Sequence, residues 1–479
     1  MFALKNKNVL IIGLGLSGVA ATDLALSRGA KVSAVDSAKT ESLQAEATKL
    51  RARGVLVELG VTSLPNRPCD LVVVSPGVPL DHPLVAEARR RKVPLMGELE
   101  LGYQQSLALN ISITGTNGKT TTTELVERVL TANRLKTIAA GNIGTPLCAV
   151  ADRARELDFI TLEVSSFQLE SIQYFRPIVA VLMNITPDHF DRYANMEEYA
   201  RAKARLFENQ QAFDWAIIQS EALGLLTKMG ARIPSKVVTF SAVDQKADLS
   251  LERGLIISRM ENWSGPLVNM DDVQLRGPHN AENIMATLAV GRVLHIPLEV
   301  MVQAIRCYTP APHRCELVAE INGVKFINDS KATNVDAVQK ALLGMPGSGP
   351  LREPNVWLLA GGKDKGFDYH DVGPVLAQRV KGAFLFGETR EKIRAAWSLF
   401  TPCSIVPTLL EAMSAAAERA VPGDVVLLSP ACSSFDQFRD YQHRGDVFRQ
   451  AVRQLEKSGR KNRSGGSAIG QERRLAVRA

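Results

Sequence analysis

Chemistry in this chain is concentrated in two glycine turns and in a few charged residues that end apolar runs. In ISITGTNGKTTTTELVERVL an apolar run enters a glycine loop, TGTNGKT (114–120), followed by Leu125, Val126, Val129 and Leu130 at helical spacing. Backbone N–H groups of such a loop cradle phosphates, a lysine reaches the outer phosphate oxygens, and the next hydroxyl can ligate Mg²⁺. Gly115, Thr116, Asn117, Gly118, Lys119, Thr120 and Thr121 are therefore the candidate ATP residues. Ile113 stands where the longer form of the motif has its first glycine, so this is a shortened variant. Downstream, DFITLEV delivers Glu163 to a strand end, where its carboxylate can hold the same magnesium or simply be solvated. IVAVLMNITPDHFDRY does the same for Asp188, His189 and Asp191, with His189 readable as a metal ligand or as a structural histidine.

The other turn, NVLIIGLGLSG, places Gly13, Gly15 and Gly18 between a strand and the helix AATDLALSRG, and Asp36 ends the following strand, KVSAVD. Glycines at this spacing admit an anion to a helix N-terminus and suit any nucleotide diphosphate. Asp36 sits about where a dinucleotide fold puts its ribose-binding carboxylate, so an NAD-dependent oxidoreductase is a rival reading on this segment.

These residues need elements to carry them to common edges. Short β-branched runs alternate with helical patterns almost throughout, as in DLVVVSPG, NVWLLAGG, GAFLFG and DVVLLSP, which predicts an α/β protein with parallel sheets and ligands at the strand carboxyl ends. At 479 residues about three domains are expected. The breaks fall near 97 and 310, giving 1–96 as a Rossmann-like domain, 97–310 as a P-loop-type ATPase domain with a mostly parallel sheet, and 311–455 as a second Rossmann-like domain. Between 212 and 275, WAIIQ, KVVTF and GLIISR read as strands of a more antiparallel layer. The remainder, 456–479, loses its apolar period and reads as a disordered tail.

Composition narrows the partners. The formal net charge is +7, but the tail alone holds seven Lys/Arg against two Glu, leaving a nearly balanced body and no case for a nucleic-acid partner. The six cysteines form no CxxC pair, which fits a reduced cytoplasmic protein without structural zinc. No apolar stretch approaches membrane-spanning length, so no membrane insertion is expected.

Beyond the two turns, a longer series runs through the chain. TGTNGKT, GNIGTP (141–146), EVSSFQLE (163–170), NITPDHFDRY (184–193), YARAKARLFEN (199–209), GPHNAEN (277–283), APHR (311–314), NDSKATN (328–334) and SPACSSFDQF (429–438) occur in order. This series resembles the Mur ligases, ATP-dependent amide-forming enzymes that assemble the peptidoglycan stem peptide. The match covers about residues 5–455, and SSFQLE, NDSKATN and SPACSSFDQF point to the D-glutamate-adding branch.

The resemblance implies that the first glycine turn takes the uridine diphosphate of UDP-MurNAc-L-Ala through Gly15, Ser17, Gly18, Asp36 and Ser37, with Ala38 where the family usually has a basic residue. Asn142, Ser165 and Gln168 would meet its sugar and lactyl part. Two Mg²⁺ are implied, one at Thr120 and Glu163, the other at His189 and a carbamylated lysine, Lys203. Read without the resemblance, Lys203 is a snorkelling surface lysine. Asn280, Asn283, Arg314 and Asp329 would complete the ATP site, and Lys331, Thr333, Lys365, Ser434 and Tyr441 would grip D-glutamate. GGKDKG taken alone is a solvated turn. A monomeric enzyme is expected.

Overall fold

The computed structural model describes residues 2–190, 192–309, 312–345 and 353–457. The candidate Asp191, the break at 310, Ala311 and the tail from 458 lie outside these residues. The described residues fold into two compact units, one made of 2–185 and 192–308, the other of 186–190, 309, 312–345 and 353–457.

The first unit holds two sheets. Five strands, β1 (Asn8–Ile12), β2 (Lys31–Asp36), β3 (Leu56–Leu59), β4 (Leu71–Val74) and β5 (Leu95–Gly97), pair in parallel in the order β3-β2-β1-β4-β5. The order reverses at β1, which opens a crevice beyond its carboxyl end, where the Gly13 turn lies. The second sheet comprises β6 (Leu109–Thr114), β7 (Thr137–Gly141), β8 (Phe159–Glu163), β9 (Val179–Leu182), β10 (Trp215–Gln219), β11 (Lys236–Ser241), β12 (Leu249–Glu252), β13 (Leu255–Ser258) and β14 (Gly265–Asn269). Its order is β14-β13-β12-β11-β10-β9-β6-β8-β7.

β6, flanked by β8 and β9, is buried from Asn110 to Thr114, as a strand covered on both faces must be. Ile111 and Ile113 pack with Leu125, Val126, Val129 and Leu130 of the helix Lys119–Ala132 and with the helix Pro278–Val293. The latter is buried continuously from Ala281 to Gly291, so it is a core helix with no solvent face over that stretch.

The expected antiparallel layer over 212–275 is only half correct. β10 and β11, the WAIIQ and KVVTF segments, pair in parallel with each other and with β9 and β12. The helix Ser220–Lys228 provides the crossover that parallel neighbours require. Antiparallel pairing begins with β12–β13 and continues to β14.

The second unit carries β15 (Glu316–Ile321), β16 (Val324–Asn328), β17 (Val356–Gly361), β18 (Val380–Phe386), β19 (Cys403–Ile405) and β20 (Val425–Leu428), in the order β15-β16-β20-β17-β18-β19. All pairs are parallel except the hairpin β15–β16. The last helix spans 441–457, so Glu456 and Lys457, expected in the tail, are helical. Among the described residues no helix is long and apolar enough to cross a membrane.

Candidate active site

The phosphate-type loop is built by the end of β6 and the start of the helix Lys119–Ala132. Gly118 caps that helix in a left-handed conformation, φ +87°, and a Cβ there would lie 2.4 Å from Asn283 Oδ1. At Gly115, φ +149°, a Cβ would lie 2.8 Å from Met183 Cβ. Glycine is thus required twice, for backbone angle and for space. Asn184, one residue beyond Met183 at the end of β9, holds the loop from below. It accepts from Asn117 N at 2.9 Å through its side chain and from Thr116 N at 3.0 Å through its carbonyl, and donates from Nδ2 to Asn117 O at 3.0 Å.

Around this cradle the candidate side chains converge. Thr120 Oγ1 donates to Glu163 Oε2 at 2.6 Å and Asn142 Nδ2 donates to Oε1 at 2.7 Å, so the carboxylate, 2% exposed, is held in one orientation. Lys119 Nζ donates to the carbonyls of Gly115 and Thr116 at 2.9 and 2.8 Å. Asn283 Oδ1 accepts from Thr122 at 3.3 Å, and its Nδ2 donates to Asn280 Oδ1 at 3.0 Å.

Lys203 corrects the surface reading. It is 1% exposed on the helix Met196–Ala204, its Nζ donating to Gly115 O at 2.8 Å and lying 4.6 Å from the centre of the Tyr199 ring. Tyr199 in turn shares a 3.2 Å hydrogen bond with Thr116. The inward face of this helix, not snorkelling, fixes its place.

The glycine turn after β1 is equally built. Gly18 packs so closely that a Cβ would fall 1.8 Å from Gly13 O, which welds the helix Leu16–Ser27 to the strand. Gly15 caps that helix without a side-chain hydrogen bond, and a Cβ added there would meet no atom within 4 Å. Asp36 accepts from Leu14 N at 2.8 Å and from Ala38 N at 2.9 Å, so its carboxylate braces the turn. Ser17 is half-buried and Ser37 exposed at the same edge. Ser165 and Gln168 form a reciprocal capping box on the helix Ser166–Leu169, which gives both a local structural bond.

In the second unit, Lys331 Nζ lies 4.1 Å from the centre of the Tyr441 ring. Ser434 is buried and Thr333 half-buried. The residue that organises these turns is one that sequence reasoning misses. Arg444, fully buried, donates to Ser330 Oγ at 3.0 Å, to Ser330 O at 2.8 Å, and to the carbonyls of Cys432 and Ser433 at 3.1 and 3.2 Å. Its guanidinium ties the NDSKATN turn to the SPACSS turn, and burial pulls it down to about 10. Asp329, buried, accepts from Ser429 Oγ at 2.9 Å and Cys315 N at 3.2 Å, and desolvation raises its carboxyl to about 7. Arg314 is half-buried beside Cys315 in sequence.

GGKDKG is not a free turn: Lys363 N bonds Ser433 O at 3.0 Å, and Lys365 Nζ lies 3.5 Å from Asp188 Oδ1. Asp188 Oδ2 also accepts from Asn334 Nδ2 at 3.2 Å, and Oδ1 from His189 N at 2.9 Å. His189 adopts φ +58°.

The donor set can be judged for a cation. A hydroxyl and a carboxylate oxygen at Thr120 and Glu163 are hard ligands of the kind Mg²⁺ takes when it keeps waters and borrows phosphate oxygens. Among the described residues no group of three His, Cys, Asp or Glu forms a complete protein cage. Lys203 as an ammonium is a cation and a donor, so it does not fit as a ligand unless converted to an anion.

Comparison with known proteins places the chain. Residues 7–97 match the MurD-like N-terminal domain of Mur ligases, 113–291 the Mur ligase middle domain, and 313–432 the Mur ligase glutamate ligase domain. The UDP-N-acetylmuramoylalanine–D-glutamate ligase of Acidobacterium capsulatum is 41% identical over 453 residues, 94% of this chain and 96% of that protein. The enzyme of the same name from Geobacillus kaustophilus is 40% identical over 456 residues, 94% and 98% of the two chains. In fold the chain is similar to a UDP-N-acetylmuramate–alanine ligase from Thermotoga maritima, TM-score 0.58 at 20% identity over 95% of this chain and 100% of that one. A MurF ligase from the same organism, solved with ADP, gives 0.59 at 18% identity over 96% of each. These relatives are ligases and lend no support to the oxidoreductase reading of the Gly13 turn. The chain belongs to the Mur ligase family, with the UDP-N-acetylmuramoylalanine–D-glutamate ligases.

Proposed function

We propose that this chain joins D-glutamate to UDP-N-acetylmuramoyl-L-alanine with hydrolysis of ATP to ADP and phosphate, in the cytoplasmic synthesis of peptidoglycan precursors. The observation that carries the reading is about 40% identity along 94% of the chain to enzymes bearing that name. The Thr120–Glu163 pair at the mouth of a glycine cradle supports it. Three domains, 1–96, 97–310 and 311–455, would take the UDP substrate, ATP and the amino acid, and the enzyme would act as a monomer.

A carboxylate does not acylate an amine at neutral pH, so the terminal carboxylate of UDP-MurNAc-L-Ala is first phosphorylated by ATP. The amine of D-glutamate then attacks the acyl carbon of the acyl phosphate, and phosphate leaves. The protein's task is positioning and charge neutralisation, without a side-chain nucleophile. The N–H groups at 115–121 and Lys119 would bind the phosphates, with Asn280 and Asn283 toward the base and Arg314 and Asp329 toward the ribose and phosphates. Thr120 and Glu163 would hold one Mg²⁺, which when bound neutralises phosphate charge. Asn142 keeps Glu163 aimed, because it donates to the oxygen that Thr120 does not occupy.

Gly15, Ser17, Gly18, Asp36 and Ser37 would receive the uridine diphosphate, and Asn142, Ser165 and Gln168 the lactyl end. Lys331, Thr333, Lys365, Ser434 and Tyr441 would hold the carboxylates of D-glutamate. A second Mg²⁺ at His189 requires a carbamate on Lys203.

The test is phosphate release with UDP-MurNAc-L-Ala and a panel of D-glutamate, L-lysine, meso-diaminopimelate and glycine. D-Glutamate is the expected acceptor; a better one among the others refutes the specificity. Lys119→Ala should abolish turnover, and release at the native rate would overturn the loop assignment.

A further inference from the structure

Arg192 lies outside the cradle and the first glycine turn, yet it is an elaborately tethered cation of the first unit. Its side chain is 12% exposed and its Nε and Nη2 donate to the two oxygens of Glu170 at 3.1 and 2.5 Å. The third arm, Nη1, donates to the carbonyl of Pro76 at 3.0 Å, and the guanidinium carbon lies 4.2 Å from the centre of the Phe167 ring. Glu170 is fixed independently by the hydroxyl of Tyr193, which donates to Oε1 at 2.6 Å.

These partners belong to the edges of two different sheets, one following the strand Phe159–Glu163 and the other following β4. Phe167 lies in the helix Ser166–Leu169 and Glu170 caps its end, just beyond the strand that delivers Glu163. Pro76 opens the turn after β4, and the adjacent Ser75 donates to Gly13 O at 2.8 Å, inside the first glycine turn. One planar fork, paired on two arms with a carboxylate and stacked on an aromatic ring, therefore has its third arm aimed without rotational freedom at the other sheet's loop. A lysine in its place offers one point charge and cannot make the three directed bonds at once.

We propose that Arg192 is a positioning residue for the UDP-sugar substrate: it fixes the spacing between the edge that takes the diphosphate and the edge where the substrate carboxylate reacts. The inference rests on the proposed function, in which one substrate spans those two edges. Because the bonds of Arg192 go to Glu170 and Pro76 and none of them to the phosphate cradle, its effect should fall on one of the three substrates.

Steady-state kinetics of Arg192→Lys and Arg192→Gln, with each substrate varied in turn, tests it. The KM for UDP-MurNAc-L-Ala should rise about tenfold or more, with kcat and the KM values for ATP and D-glutamate changing less than about threefold. Combining Arg192→Gln with Glu170→Gln should add less than about twofold to the single effect, because both break the same tether. An unchanged KM for the UDP substrate in both variants, or a parallel loss in kcat and all three KM values such as a general folding defect gives, overturns the proposal. A wild-type protein that releases no phosphate with UDP-MurNAc-L-Ala and D-glutamate overturns the functional assignment instead.

Discussion

Gly118→Ala is the substitution for which the structure supplies both a magnitude and its own control. At φ +87° an alanine incurs the left-handed penalty of about 1–2 kcal/mol. Its Cβ would also lie 2.4 Å from Asn283 Oδ1, so Asn283 must move and lose its bonds with Thr122 and Asn280, worth about 1 kcal/mol each. The expected destabilisation is about 3–4 kcal/mol. Gly15 provides the comparison, since it too caps a helix without a side-chain bond, but has φ −68° and nothing within 4 Å of a Cβ. Any cost of alanine at a cap position is common to both, and the difference isolates angle and clash. Urea denaturation of the two variants, followed by far-ultraviolet circular dichroism, gives that difference. Placing Gly118→Ala in an Asn283→Ala background should recover the clash share, about half of the loss. If Gly118→Ala and Gly15→Ala lie within about 0.5 kcal/mol of each other, the reasoning fails.

Other expectations follow from buried charge. Glu98 is fully buried, accepts from Cys148 N at 2.7 Å through Oε1, and has no partner for Oε2, and burial raises its carboxyl from 4.5 to about 7. The native state then holds a proton that the unfolded chain has released, so its contribution is present below about 4.5 and lost as pH rises to about 7. Glu98→Gln should match wild type in urea stability near pH 4 and exceed it at pH 8 by on the order of 3 kcal/mol; parallel pH profiles would refute this. Arg444→Lys should cost about 2–4 kcal/mol, because one ammonium cannot replace four bonds and leaves buried carbonyls unmatched; a smaller loss in thermal unfolding would contradict the hub role. Lys203→Ala should impair phosphate release, with partial recovery on adding short-chain carboxylic acids if a carbamate acts there, and full activity would remove Lys203 from the site.

The parallel strands that carry the candidate residues are legible because fully buried strands write themselves as unbroken apolar runs. LVVV, FITLE, VAVL and VVLL are buried on both faces almost throughout. β11 reads wrongly as antiparallel because Lys236 and Val237 are exposed while Val238 and Phe240 are buried, which mimics the alternation of a half-solvated strand. The pairing partner decides, and in the helix Ser220–Lys228 that makes the crossover Ala222 and Leu226 are buried while Leu223 packs half-buried against the same core.

The limits at the site have a different cause, which is that a residue type does not say which way its side chain turns. Ser165 and Gln168 stand at the S-x-x-Q spacing of a capping box, so their mutual bond is readable from the sequence alongside any contact with substrate. Lys203 follows Tyr199 by one helical turn, and that tyrosine is 1% exposed, so the lysine lies on the buried stripe. A cation on an apolar stripe is the available signal, outweighed by the ease with which lysine snorkels. Arg444 gives no such signal, because its four acceptors are one hydroxyl and three backbone carbonyls contributed by turns distant in sequence. Acceptors of that kind are present at every residue and mark no position, so a buried arginine that they satisfy is visible only once the turns have been brought together.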